Sequence, residues 1–278
     1  MAVHVVQRRL PLVRDLGFVF RLSDTTATLL VASSIAGLLY GPRGWWYDPN
    51  PATFPAFLGQ DVVTLFFAVP LLVGSSFAAR RGSLRGVLCW MGAFFHVAYS
   101  YYFYVIGGRF NAFFPVYIAI VSMGAYGALA LLFSLDLPRL PAYVDRAPVR
   151  DLSAFFVVTA LAFAGLWLSK IDAHLRLGTE LDAVARAVIA IDGVVLLPLF
   201  FYGGQAIRRR DPLGYALAGL LLVQATATFL TLIVNTTIAA RRGQPTDDLQ
   251  TVAYGIGLVA AATLLVWFFE CVRNEAAI

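Results

Sequence analysis

The chain has 278 residues, 60% of them hydrophobic and only 13% charged, with a mean hydropathy of +0.76 and a formal net charge of +5. Soluble domains carry about 25% charged residues, so the composition argues against a water-soluble enzyme or binding module and for a chain embedded in a membrane. The basic excess then reads as membrane topology and attraction to anionic lipid headgroups, with no need for a nucleic-acid partner.

Residues 1–22 interleave Arg8, Arg9, Arg14 and Arg21 with Val5, Val6, Leu10, Leu12, Val13, Leu16, Phe18, Val19 and Phe20. This pattern is expected to form a cytoplasmic interfacial amphipathic segment. Arg8-Arg9 as an export signal is disfavoured by the long apolar-basic insert that follows it, and Ala32-Ser33-Ser34 is a weak match to a cleavage site, so the first apolar segment is expected to be retained as a span. A span needs roughly 20 mostly apolar residues. Eight segments meet this or come close: 24–41, 60–79, 87–107, 112–134, 153–169, 184–205, 213–239 and 250–272. The fold expected is an all-α integral membrane protein in one transmembrane domain, 1–278, with four spans in 23–134, a proline-containing cytoplasmic linker at 135–152 and four more spans in 153–278.

The loops set the expected orientation. Placing the N-terminus, 80–86, 135–152, 206–212 and the C-terminus on one side collects fourteen of the twenty-one Lys and Arg residues there, which by the positive-inside rule makes both termini cytoplasmic. The outer loop Gly41 to Pro49, with Trp45, Trp46 and Tyr47, reads as an interfacial aromatic anchor, and Tyr101, Tyr102 and Tyr104 as further members of that belt. Outer loop 170–186 reads as a solvated charged turn with a short helix. Lys170, the sole lysine, lies at the end of a span, a poor place for a Schiff base.

A pattern recurs at an offset of 128. Pro70, Arg80, Arg81, Gly86 and His96 correspond to Pro198, Arg208, Arg209, Gly214 and Gln224. Each half holds an even number of spans, so two parallel four-helix pseudo-repeats are expected, related by an axis along the membrane normal. Each proline frees the carbonyl four residues earlier, that of Phe66 or Val194, and should kink its helix.

Gln224, Thr228, Thr231 and Asn235 fall at i, i+4, i+7 and i+11 and share one helix face. The corresponding face of the third span reads His96, Ser100, Phe103 and Gly107, with Tyr99 adjoining. Counting from the paired prolines at 1.5 Å per residue puts Asp192 about 9 Å, and Thr228 and Thr231 about 6 to 10 Å, toward the outer side; Asp192 is therefore expected to accept hydrogen bonds from the threonines. An ionised carboxylate at mid-helix costs about 2.5 to 3.5 kcal/mol even on the lenient insertion scale, so Asp192 should be paired, hydrated or protonated. Asp61, about one turn out of register with Asp192, lies nearer the outer headgroups. The competing reading is structural: threonines bonding their own i−4 carbonyls, polar pairs acting as helix glue, and Asp192 bridged to Arg186 or Lys170.

His4, His96 and His174 are scattered over different depths, Cys89 and Cys271 form no metal-ligand spacing, and no GxGxxG, P-loop, HExxH or GxSxG motif is present. Neither a metal nor a cofactor is expected. Asp192, Pro198 and Arg208-Arg209-Arg210-Asp211-Pro212-Leu213-Gly214-Tyr215, with Gly59 to Thr64, Arg81 to Gly86 and Tyr101 to Asn111, resemble uncharacterised multi-span prokaryotic membrane proteins. The resemblance covers less than half the chain, implies a membrane protein and transfers no functional residue. The arginine-rich loops and abundant Ala and Gly suit a prokaryotic cytoplasmic membrane.

The function expected is binding of a small solute or ion from the outer side, with transport as its extension. Asp192, Gln224, Thr228, Thr231 and Asn235 form one wall, and His96, Tyr99 and Asp61 the other. The alternatives are an accessory or sensor protein that recognises lipid or a protein partner, and an intramembrane enzyme acting on a lipid or quinone. Membrane lipids are partners under all three, and the oligomeric state stays open.

Overall fold

The computed structural model describes residues 10–41 and 53–274, and among these the chain is all-helical. Eight helices exceed 18 residues: α1 Gly17–Tyr40, α2 Phe54–Arg80, α3 Leu84–Ile106, α4 Phe114–Leu132, α5 Val149–Leu177, α6 Ala183–Arg208, α7 Pro212–Arg241 and α8 Asp248–Cys271. Seven are long and apolar enough to cross a membrane, which fits a multi-pass membrane protein. The exception is α3, whose Trp90, His96 and four tyrosines lower its hydropathy. It packs against α2, α4, α6 and α7. A helix surrounded by helices needs no apolar face for lipid.

The helices overrun the apolar segments read from sequence. α1 starts at Gly17 rather than near 24, so residues 17–22 are its first turns, and Arg21 and Asp24 remain exposed. α5 continues past Lys170 to Leu177, where Gly178 closes it at φ +68°. Most of the expected outer turn at 170–186 is thus helix, steadied on its exposed face by Arg176 to Asp172 at 2.6 Å. Charged residues end an apolar window but do not end a helix once it has left the hydrocarbon. The linker 135–152 holds a 3-10 helix, Leu137–Tyr143. Residues 1–9 and 42–52, with Arg8-Arg9 and Trp45 to Tyr47, lie outside the described residues.

At the arginine-rich end, each group of four helices ties its first approach to its last exit. Ahead of α1, Val13 N donates to Ser134 O and Pro11 O accepts from Asp136 N, both at 2.8 Å. Ahead of α5, Asp145 N donates to Cys271 O at 2.9 Å and Arg273 N to Tyr143 O at 2.8 Å.

The two proline helices share an irregularity. Thr64–Ala68 in α2 and Asp192–Leu196 in α6 are π-helical, closed by Val69 N to Thr64 O and by Leu197 N to Asp192 O. A proline lacks an N–H, and the wider turn just ahead of it re-registers the helix around the missing bond. The hairpin turns agree too. Gly82 and Arg210 have positive φ, Ser83 caps α3 through Gly86 N and Asp211 caps α7 through Leu213 N. A Cβ on Gly86 or Gly214 would overlap the backbone nitrogen of Ala79 or Ile207 respectively. The π-helical segments, the positive-φ residues, the capping residues Ser83 and Asp211 and the two glycines are each separated by 128 positions, whereas the capped N–H groups of Gly86 and Leu213 are 127 apart.

Candidate functional site

α3 and α7 meet at the centre of the bundle and separate toward the end away from the arginine hairpins. Nearer the hairpins they are in close contact, since a Cβ on Gly92 would overlap the Val223 side chain. Farther along, α2 and α6 join them around a cavity of about 100 Å³. Five pairs of its lining residues are 128 positions apart: Ala56 and Val184, Gln60 and Val188, Ser100 and Thr228, Phe103 and Thr231, Tyr104 and Leu232. Phe57, His96, Tyr99 and Asn235 complete the wall. By the measure in which one water needs about 10–15 Å³, the space takes several waters or one small solute, and no lining residue is Lys or Arg.

The polar side chains form a chain of hydrogen bonds across the α3–α7 contact. His96 Nδ1 lies 3.3 Å from Gln224 Oε1, and His96 Nε2 lies 3.2 Å from Ser100 Oγ. A carbonyl oxygen only accepts. Nδ1 therefore carries the proton, Nε2 accepts, and the Ser100 hydroxyl donates to it. Gln224 Nε2 in turn donates to Thr228 Oγ1 at 2.9 Å. His96 and Gln224 are 1% and 0% exposed, and their bond joins corresponding positions of the two proline hairpins.

Two buried carboxylates stand behind the wall, each holding a tyrosine that lines the cavity. Asp192 accepts from Tyr99 Oη through Oδ1 and from Trp167 Nε1 through Oδ2, both at 2.8 Å. Asp61 accepts from Tyr104 Oη at 2.8 Å, and the same hydroxyl reaches Phe57 O at 3.2 Å. Asp192 is 1% exposed, and among the described residues no Lys, Arg or His lies within ion-pair distance of it.

Of the residues singled out from sequence, His96, Tyr99, Thr228, Thr231 and Asn235 line the cavity, while Gln224, Asp192 and Asp61 sit one layer behind. Asp192 does not bond the threonines. The Thr231 hydroxyl donates to its own Ala227 O at 2.9 Å and Thr228 accepts from Gln224. Nor does Asp192 bridge to Arg186 or Lys170. Thr231 thus follows the i−4 habit of spanning threonines, as do Thr226, Thr236 and Thr237; Thr228 departs from it. Tyr101 and Tyr104 are not belt residues. They are 0% and 3% exposed and stack at 5.0 Å, because Ser34 of α1, Phe57 of α2 and Tyr117 of α4 close around them.

Sequence reasoning missed Trp167, Gln60 and Tyr104 as members of the site. Tyr104 was within reach, since His96, Ser100 and Tyr104 follow each other at i, i+4 and i+8. Trp167 had no signal, because its role depends on how α5 crosses α6. Compared with protein-family models, curated proteins and solved structures, the chain matches none.

Proposed function

We propose that this chain is an eight-span protein of a prokaryotic cytoplasmic membrane, built from two parallel four-helix repeats with both termini cytoplasmic. In this reading it belongs with the uncharacterised multi-span proteins that its Asp192 to Tyr215 hairpin resembles. It binds a small solute or ion from the outer side in the α2, α3, α6 and α7 cavity, and transports it. The observation that carries this reading is the cavity's placement and make-up: it lies between the two halves, at the end away from the arginine hairpins, and takes its polar groups from both. Thr231 keeps the i−4 bond that helix packing alone explains, whereas Thr228 accepts from Gln224 beside an open space. The matched π-helical segments, caps and close-approach glycines support the repeat, and the arginines gathered at one end support the orientation.

The test is a thermal-shift panel on the purified chain with small cations, anions and neutral polar solutes, followed by uptake into proteoliposomes. One class should raise the melting temperature saturably in wild type and fail to do so in Thr228→Val, whose own unfolding stays close to wild type. A flat response to every class would end the reading. Asp192→Asn should abolish uptake while leaving folded yield intact.

A second reading has its own observation. An apolar groove of about 370 Å³ runs beside the cavity between α3, α4, α6 and α7, with Tyr99 bordering both. Such a lateral opening beside a polar pocket suits an amphiphilic lipid or quinone whose polar head reaches Tyr99, with the chain as its sensor or as an enzyme on it. Loss of a co-purifying lipid on Ala98→Phe, with solute response unchanged, would favour it.

A further inference from the structure

We infer that Ala183–Ile191, the part of α6 away from the arginine hairpins, is a lid on the central cavity, turning about the π-helical segment Asp192–Leu196 and latched by Asp192. This rests on the cavity being the binding site and goes beyond it by naming the way in. The ground is a contrast between equivalent segments. Ala56 and Gln60 of α2 line the cavity, and so do Val184 and Val188 of α6, 128 positions later. Both pairs precede a π-helical segment followed by a proline, the kind of interruption at which a helix bends. The two segments are nonetheless held in opposite ways.

In α2, six of the ten residues of Phe54–Val63 are buried, and the segment is held between α1 and α7. Gly59 lies so close to Asn235 of α7 that a Cβ would collide with the amide, and Asp61 accepts from Tyr104 Oη of α3 at 2.8 Å. In α6, only Ala187 of the nine residues of Ala183–Ile191 is buried, and Arg186, the one polar side chain, is exposed. The segment rests chiefly on α3, where Gly107 lets Val184 approach; a Cβ on that glycine would lie 3.0 Å from Val184 Cα. Few buried contacts are the structural mark of a segment that opens at low cost.

The hinges differ as well. Gly193 stands second in the π-helical segment of α6, where a Cβ would meet no neighbour within 4 Å, whereas the corresponding position in α2 is Leu65. Glycine widens the range of backbone angles open to a bend, and at 193 neither close packing nor a positive φ calls for it. One residue earlier, Asp192 accepts from Tyr99 of α3 and Trp167 of α5, both at 2.8 Å. These two bonds tie the hinge to its neighbours at the point where the loosely held segment begins. They are the latch. Tyr99 also lines the cavity, so latch and cavity wall share one side chain.

The test uses the full chain in nanodiscs, with Cys89 and Cys271 replaced by serine and Thr231→Cys as reporter, since Thr231 lines the cavity and bonds its own helix. The probe is a water-soluble methanethiosulfonate, whose rate of reaction with the reporter reads how often the cavity opens. Gly193→Ala adds a methyl in free space and should slow labelling about fivefold, the equivalent of alanine's helix preference over glycine. Trp167→Phe removes one latch bond and should speed it about tenfold. Leu65→Gly, the matching change in α2, should leave it within about twofold, the scatter of an uninvolved site. Labelling that is insensitive to positions 193 and 167 overturns the lid and leaves the cavity reachable by another route. A change in Leu65→Gly as large as that in Trp167→Phe overturns it too, by moving the hinge to α2. No labelling in any variant removes the cavity as a site that solutes reach, and the lid with it. If Trp167→Phe does not fold, Gly193→Ala decides: an unchanged rate there overturns the inference.

Discussion

In the hairpin α2–α3, the residue that opens the π-helical segment is Thr64, whose hydroxyl accepts from Gln60 one turn away on the same helix. In α6–α7 the corresponding residue is Asp192, which reaches across to Tyr99 of α3 and Trp167 of α5. Around this difference the backbone is matched: π-helical segment, proline, positive-φ turn residue, side-chain cap and close-approach glycine occur at the same offset in both. Irregular backbone geometry and chemistry are thus separable here. The wider turn solves the problem set by a proline, and it aims position 64 or 192 inward whichever side chain stands there. A hydroxyl is satisfied within its own helix, whereas a carboxylate needs neutral donors from two others. At this position, therefore, the second hairpin is bound to other helices, whereas the first is satisfied within its own helix.

The largest expected effect breaks that asymmetry. Trp167→Phe and Tyr99→Phe each remove one of the two donors to a fully buried carboxylate, and a hydrogen bond to a charged group contributes about 1.5–3 kcal/mol. The matching change in the first hairpin, Gln60→Leu, removes one long neutral bond and should cost about 1 kcal/mol or less. Reversible unfolding in mixed micelles measures both. Equal losses would mean that Asp192 is not held as a charge.

Next come the glycines where the hairpins should behave alike. Gly86→Ala and Gly214→Ala each push a methyl into the neighbouring backbone, and overpacking costs about 1–3 kcal/mol. The two variants should fall within about 0.5 kcal/mol of each other, the scatter expected of independent sites. A large loss in one and none in the other would show that the turns do not bear the same load.

Much of this architecture was legible in the sequence, and for identifiable reasons. Apolar segments, prolines, glycines and arginine clusters act through local backbone chemistry, so the hairpins and their common offset could be read without coordinates. The π-helical segments follow from the same prolines, although nothing in the residue types distinguishes a widened turn from a kink. The polar stripe picked out Thr228, Thr231 and Asn235, which line one cavity, because helical periodicity fixes which residues share a face. The partner of Asp192 was beyond reach: depth counting brought the carboxylate level with Thr228 and Thr231, but rotation about the helix axis and the crossing of α5 choose among groups at one height. Tyr101 and Tyr104 were misread for a related reason, because an aromatic near the end of a span reads as belt unless the helix is known to be central.

A smaller effect measures how tightly the hairpins are coupled to each other. A double-mutant cycle with His96→Ala and Gln224→Ala isolates the bond between corresponding positions. Interhelical polar pairs in membranes average about 0.6 kcal/mol and reach about 1.7. With both residues buried and the bond continued to Ser100 and Thr228, a coupling energy of about 1 kcal/mol is expected. A value near zero would leave the pair as two separately satisfied side chains.

The smallest expected effect has a distinctive sign. Position 82 is Gly at φ +81° and position 210 is Arg at φ +58°. Both occupy the left-handed region, where a side chain with a Cβ is disfavoured by about 1–2 kcal/mol. Gly82→Ala therefore introduces a strain that Arg210 already carries, and should destabilise by about 1 kcal/mol. Arg210→Gly relieves that strain but makes the unfolded chain more flexible, at a cost of about 0.5–1 kcal/mol. The balance is a stabilisation of about 0.5 kcal/mol, opposite in sign to the usual effect of glycine. The proposed orientation would give an arginine at 210 a role: three successive arginines, Arg208 to Arg210, stand at the tip of the second hairpin, and each basic residue near an anionic surface contributes about 1 kcal/mol of attraction. Arg210→Gly should accordingly melt slightly higher in neutral detergent and lose that advantage in anionic nanodiscs. Stabilisation of the same size in both would remove the headgroup explanation and leave the strain at 210 without a compensating interaction.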